Sequence, residues 1–119
     1  LEEIIMKSNS KGKDLQKEGD IQSSICEYLF DVKHYFGWRQ NTTPVYDPTV
    51  KVFRRMPKYS LKGVADIILV IESRAVFLEV KRAKTYQSVD QKEFQRLCEE
   101  NGAEYHVVRS VDDVIDLGF

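Results

Sequence analysis

The sequence predicts an α/β fold, a mixed β-sheet flanked by helices in a single domain, and three features carry that reading. Residues 65–71 and 74–81 are two nearly continuous apolar runs, the mark of strands covered on both faces. Before them, Ile21, Ile25, Tyr28, Leu29, Val32 and Phe36 recur at helical spacing. After them, Ser88-Val-Asp-Gln91 has the form of a helix capping box.

The elements follow in order. Residues 1–13 are polar and aperiodic after Met6, which predicts a flexible N-terminal arm ahead of a domain over 14–119. The apolar stripe predicts a helix over about residues 14–35, ended by Gly37. Residues 38–41 read as a short strand, and Pro44 and Asp47-Pro48 punctuate a turn-rich stretch. Residues 51–55 predict another strand and 56–63 a basic loop. The helix opened by Ser88 runs through Phe94, Leu97 and Cys98 to a terminating Gly102. Residues 104–108 read as a strand, and Ser110-Val-Asp-Asp113 caps a last short helix.

A chain of 119 residues has room for one compact domain that buries roughly two-thirds of its unfolded surface. Apolar and charged fractions of 42% and 31% exclude a disordered or membrane-embedded composition. No apolar run approaches the roughly 20 residues that span a bilayer. Cys26 and Cys98 are isolated, without metal-ligand spacing, which leads us to expect a reducing cytoplasmic setting without a disulfide framework. His34 and His106 are solitary and read as structural histidines.

The net charge of −1 gives no argument for a polyanionic partner, but its distribution does. Residues 51–84 hold nine basic and three acidic residues, a local charge of +6, while the remainder carries −7. A basic centre in an acidic frame can neutralise a phosphate backbone locally. On charge alone, a solvated Lys- and Arg-rich loop is the stronger reading.

The two apolar runs also carry chemistry. A hairpin turning on Glu72-Ser73 pairs residues whose numbers sum to 145, which sets Asp66 opposite Glu79. Cross-strand Cβ atoms lie roughly 5 Å apart, so two carboxylates meet on one face. Lys81 shares that face, because side chains alternate along a strand. Adjacent carboxylates in a covered sheet are costly without a cation, and Mg²⁺ is commonly held by one or two carboxylates with substrate phosphates. A lysine beside them can orient a water and stabilise developing phosphate charge. The bland alternative is an ion pair of Lys81 with either acid.

On a wheel of about 100° per residue, Glu18 lies along the Ile25/Leu29/Phe36 stripe, with Gln22 about 40° away. Glu27 falls on the opposite face and is discarded. Glu18 reads equally as a site acid or as a first-turn acid favouring the helix dipole. Gln91 has two readings as well: a cap at the start of its helix, or a side chain reaching the site.

Glu18-Gly-Asp-Ile-Gln22, Trp38-Arg-Gln-Asn41, Gly63-Val-Ala-Asp66, Glu79-Val-Lys81, Ser88-Val-Asp-Gln91-Lys-Glu-Phe94 and Asn101–Ser110 occur in an order and spacing that resembles one family. The chain is similar, over residues 18–116, to the VRR-NUC (virus-type replication-repair nuclease) branch of the PD-(D/E)XK superfamily. That resemblance implies a restriction-endonuclease-like mixed sheet flanked by helices and a metal site of Asp66, Glu79 and the Val80 carbonyl. It assigns Lys81 to the attacking water, Glu18 and Gln22 to the helix side of the site, and matches Gln91 to the family's glutamine after the catalytic strand. Ala65 departs from the proline in the superfamily name.

The implied activity is Mg²⁺-dependent cleavage of DNA, with Mn²⁺ as a substitute and Glu18 as a ligand or water-mediated support. Similarity to stand-alone phage and bacterial members implies a homodimer cutting Holliday junctions. Arg54, Arg55, Lys58, Lys62, Arg82 and Lys84 are the expected phosphate contacts. The rival readings are a nuclease for flaps, nicks or plain duplex, and a catalytically silent DNA-binding or assembly module.

Overall fold

The structure is a computed structural model that describes residues 17–40, 46, 47, 49, 52, 53 and 58–119. The expected arm over residues 1–13 lies outside the described residues, as do Arg54 and Arg55.

The first helix, α1, spans Glu18–Cys26, later than the expected start near residue 14. Lys17 is extended at ψ 150°, so the helix cannot run back through it. A π-helical segment, Glu27–Val32, continues α1: the Lys33 N–H donates to the Tyr28 carbonyl at 2.9 Å, five residues back. A wider turn puts an α-pitched stripe out of phase. Ile21, Ile25 and Leu29 are buried as the spacing predicts, but Val32 and Phe36 are 62% and 69% exposed, against expectation. His34, at φ 60°, terminates the helical run, and Gly37 instead opens the first strand. A Cβ on Gly37 would sit 2.2 Å from the Ile68 carbonyl oxygen, so glycine is what lets this strand close onto its neighbour.

Among the described residues six strands follow: β1 (Gly37–Arg39), β2 (Tyr46–Asp47), β3 (Val52–Phe53), β4 (Ile67–Ile71), β5 (Arg74–Val80) and β6 (Glu104–Val108). β2 and β3 form a separate two-stranded ladder. The main sheet has the order β1-β4-β5-β6, antiparallel except for the parallel β5–β6 pair. The sheet is therefore mixed, as expected. In the β4–β5 hairpin Ile67 pairs with Leu78 and Ile71 with Arg74, the register read from the sequence. Glu72 and Ser73 both adopt positive φ, 47° and 67°, the requirement of a two-residue type I′ turn.

Helices α2 (Val89–Glu100) and α3 (Val111–Asp116) complete the fold. Both begin as predicted. Ser88 and Gln91 form a full capping box, and the Asp113 N–H donates to Ser110 Oγ at 3.1 Å. One sheet face packs Ile67, Leu69, Val76, Leu78, Val80 and Val108 against α1 and α3. The other packs Phe77, Tyr105 and Val107 against Phe94 and Cys98 of α2. Three layers result, with apolar burial the main stabilising term at about 25 cal/mol per Å². Coverage of both faces lapses toward the turn, where Val70 is 41% exposed. Among the described residues, no helix is long and apolar enough to cross a membrane.

Candidate active site

The β4–β5 register, extended one step, brings Asp66 opposite Glu79. Asp66 Oδ2 accepts the Val80 backbone N–H at 2.8 Å, which ties this acid to the catalytic-strand candidate across the hairpin. On the α2 face, Glu79 is 1% exposed, and its Oε1 is buried with no hydrogen-bond partner. Glu79 Oε2 accepts from Gln91 Nε2 at 3.1 Å and lies 3.8 Å from Lys81 Nζ, so the two strand residues share a face as expected.

Burial pushes the Glu79 carboxyl up to about 8. The charge of Asp66 adds to the rise, Lys81 opposes it, and Glu18 raises it further. Lys81 thus compensates only part of the cost of a buried Glu79 beside a half-buried Asp66.

Gln91 satisfies both of its readings at once. Its Oε1 accepts the Ser88 N–H at 2.9 Å while its Nε2 donates to Glu79. Glu18, half-buried in the first turn of α1, acts on Glu79 through charge. Among the described residues no three His, Cys, Asp or Glu side chains converge closely enough to hold a metal ion, so Glu18 stands outside such a cluster. Gln22 is held by Arg39, with its Oε1 accepting from Arg39 Nε at 2.9 Å.

Two residues at this end of the fold were missed by reading the sequence. Arg39 on β1 pairs with Ile67, and one step on the Gln40 N–H donates to the Asp66 carbonyl at 2.7 Å. Burial pushes the Cys26 thiol up, with Arg39 opposing and Asp66 adding, so the end of α1 reaches the same region. Tyr105 on β6 is the other; burial and the charge of Glu79 hold its hydroxyl well above the usual range, and Gln87 Nε2 donates to it at 3.1 Å. The Trp38-Arg-Gln-Asn41 motif was the available signal for Arg39, and the Asn101–Ser110 motif contained Tyr105.

Gly63 joins the halves of the site. At φ 73°, a Cβ there would lie 2.4 Å from the Asp90 carbonyl group and 2.7 Å from the Gln91 nitrogen. The chain leading to Asp66 is therefore pressed against the first turn of α2.

Of the expected phosphate contacts, Lys58, Lys62, Arg82 and Lys84 are exposed, and Lys58 Nζ lies 5.1 Å from the Tyr59 ring centre. His106 is a paired histidine, with Nε2 2.8 Å from Glu104 Oε2.

The donor set fits a hard divalent cation. Two carboxylates and a main-chain carbonyl at Val80 are oxygen ligands of the type Mg²⁺ takes, and the unpartnered Glu79 oxygen lacks the counter-charge such an ion provides.

Two solved structures have the same architecture. A "VRR_NUC domain protein" superposes with a TM-score of 0.64 at 18% identity, covering 87% of this chain and 86% of its own. The chain has the VRR_NUC fold. A second structure, described as "VRR_NUC domain", gives a TM-score of 0.58 at 22% identity over 84% of this chain and 91% of its own. No protein-family model and no curated protein sequence matches the chain. The VRR_NUC fold is thus retained here at low sequence identity, with Asp66, Glu79 and Lys81 gathered at one end of its hairpin.

Proposed function

We propose that the chain is a Mg²⁺-dependent, structure-specific DNA endonuclease of the VRR-NUC type that resolves four-way junctions as a homodimer. The observation that carries the nuclease reading is the Glu79 carboxylate, buried beside Asp66 with one oxygen unpartnered and Lys81 at 3.8 Å. An acid held so unfavourably in the core has an evident use only when a cation reaches it. The ordered motifs and the shared fold support membership of the same family.

Asp66, Glu79 and the Val80 carbonyl would hold the ion, with Glu18 supporting from α1. Bound there, Mg²⁺ or Mn²⁺ supplies Lewis acidity, lowering the pKa of water and countering charge on the phosphoryl oxygens. The remaining roles fall to the chain. Lys81 orients the attacking water and offsets charge developing on the phosphate. Gln91 fixes Glu79 Oε2 and leaves the buried Oε1 unpartnered, available to an ion. Arg54, Arg55, Lys58, Lys62, Arg82 and Lys84 contact phosphates and position DNA without reading its sequence. Symmetric cuts in a four-way junction need two active sites, which a single domain of this size supplies by two-fold association.

The test is cleavage of a labelled four-way junction, a 5′ flap, a nicked duplex and a plain duplex, with and without Mg²⁺ or Mn²⁺. Paired metal-dependent cuts in the junction, absent in Asp66→Asn, are expected. Cleavage of flaps, nicks or plain duplex would overturn the junction claim and keep the site. Absence of both cleavage and metal binding would overturn the nuclease reading.

A further inference from the structure

The loop between β5 and α2 is built more firmly than a simple connection requires. The Arg82 carbonyl accepts three hydrogen bonds: from the Thr85 N–H at 3.2 Å, Thr85 Oγ1 at 2.8 Å and Arg109 Nη1 at 2.7 Å. The same Arg109 nitrogen donates to the Thr85 carbonyl at 2.9 Å. Lys84 is held at φ 64°, a left-handed conformation that a lysine adopts only when its surroundings impose it. Strain of this kind clusters at binding sites.

On top of this turn sits Tyr86. Its ring is 75% exposed, and the Arg109 guanidinium lies 5.5 Å from its centre. The side chain is apolar over most of its area and yet presented to solvent, with a cation set against it. Arg82 and Lys84 precede it by four and two residues, both exposed, and residues 80–89 contain no acid. The loop begins at Lys81 and ends at Ser88, whose N–H holds Gln91 against Glu79, so it spans the rim of the candidate active site.

A tyrosine pre-set by an arginine and bordered by lysine and arginine is suited to a base that has left its stack. Aromatic faces bind any exposed base, while flanking cations bind the phosphates on either side. A paired base inside a duplex offers no free face to such a ring. We propose that Tyr86, positioned by Arg109, stacks on an unpaired base of the DNA at the edge of the active site. This inference rests on the nuclease reading and deepens it: at the crossover of a four-way junction, the base contacted at or beside the cleavage point is an unpaired one.

The test is binding without cleavage, in EDTA, followed by fluorescence anisotropy. The probes are a splayed fork carrying one 2-aminopurine in its unpaired arm and a fully paired duplex of equal length. The intact chain is expected to bind the fork and to quench its 2-aminopurine. Tyr86→Ala should weaken fork binding about ten-fold and abolish the quench, with duplex affinity unchanged. Tyr86→Phe should restore both, and Arg109→Met should lose the quench. Undiminished fork binding by Tyr86→Ala, or equal loss on fork and duplex, would overturn the stacking role while leaving the nuclease reading intact. Failure of the unaltered chain to bind either DNA would overturn both.

Discussion

The side-chain amide of Gln91 is shared between two tasks: its oxygen accepts the Ser88 N–H and its nitrogen donates to Glu79 Oε2. Helix α2 is therefore capped by the same group that orients the buried acid. The two tasks separate by mutation. Ser88→Ala removes the hydroxyl acceptor, costs about 1 kcal/mol of stability and leaves cleavage near the unaltered rate. Gln91→Glu keeps a good capping residue and sets a second carboxylate against Glu79. It should fold with little loss and cleave about ten-fold more slowly or worse at neutral pH, since one unit of further rise in pKa is worth about 1.4 kcal/mol. Equal effects of the two substitutions on cleavage would refute the separation.

Glu79 gives the protein a pH dependence of definite sign. Its folded pKa, about 8, lies above its unfolded value, so the folded state holds the proton more tightly. The resulting stability is complete below about pH 4.5 and is lost as pH rises through 8. Metal-free protein should melt at falling temperature between pH 5 and pH 8.5. Glu79→Gln should flatten that slope, melt several degrees higher at pH 8.5 and cleave nothing. A thermal scan across pH checks all but the last.

Divalent cation should reverse the alkaline loss. Adding Mn²⁺ or Mg²⁺ at one hundred times its dissociation constant stabilises by about 2.7 kcal/mol. Because the ligand must be deprotonated, the rise in melting temperature should be larger at pH 8 than at pH 6. Asp66→Asn should lose it. A shift independent of pH would place the ion away from Glu79.

Lys81→Met separates ion binding from chemistry. Lys81 is 8% exposed, so methionine fits its apolar stem, and metal-induced stabilisation should persist. Cleavage should fall at least about 100-fold, the usual lower reach of a positioned proton-handling group. Retained cleavage would remove Lys81 from the mechanism.

The exposed lysines make a different prediction. Lys62→Ala should weaken every DNA substrate alike and reduce the salt slope of binding by about one. An unchanged slope would exclude that loop as a phosphate contact.

Much of the site was legible because it rests on parity and local chemistry. A two-residue loop fixes the register of the whole hairpin, so Asp66 and Glu79 could be opposed by counting. The capping box around Ser88 announced itself in four residues. The stripe of α1 was readable only to Leu29, because no residue type in 27–32 signals a π turn, and Val32 and Phe36 were misassigned to the core. The helix end was set by His34 in a left-handed conformation, and not by Gly37 as the sequence suggested. Arg39 and Tyr105 reach the site from strands distant in sequence, and their roles depend on the order β1-β4-β5-β6, which no local pattern encodes.

Gly63 has a consequence for how the molecule breathes. Its α-carbon packs directly against the Asp90–Gln91 peptide, so the segment carrying Asp66 and the start of α2 are expected to open together. Amides of residues 64–66 and 91–93 should accordingly exchange with solvent as one cooperative unit, and an ion clamped between Asp66 and Glu79 should slow both sets together. A single hydrogen, where any other residue would carry a side chain, makes hairpin and helix one hinge leaf.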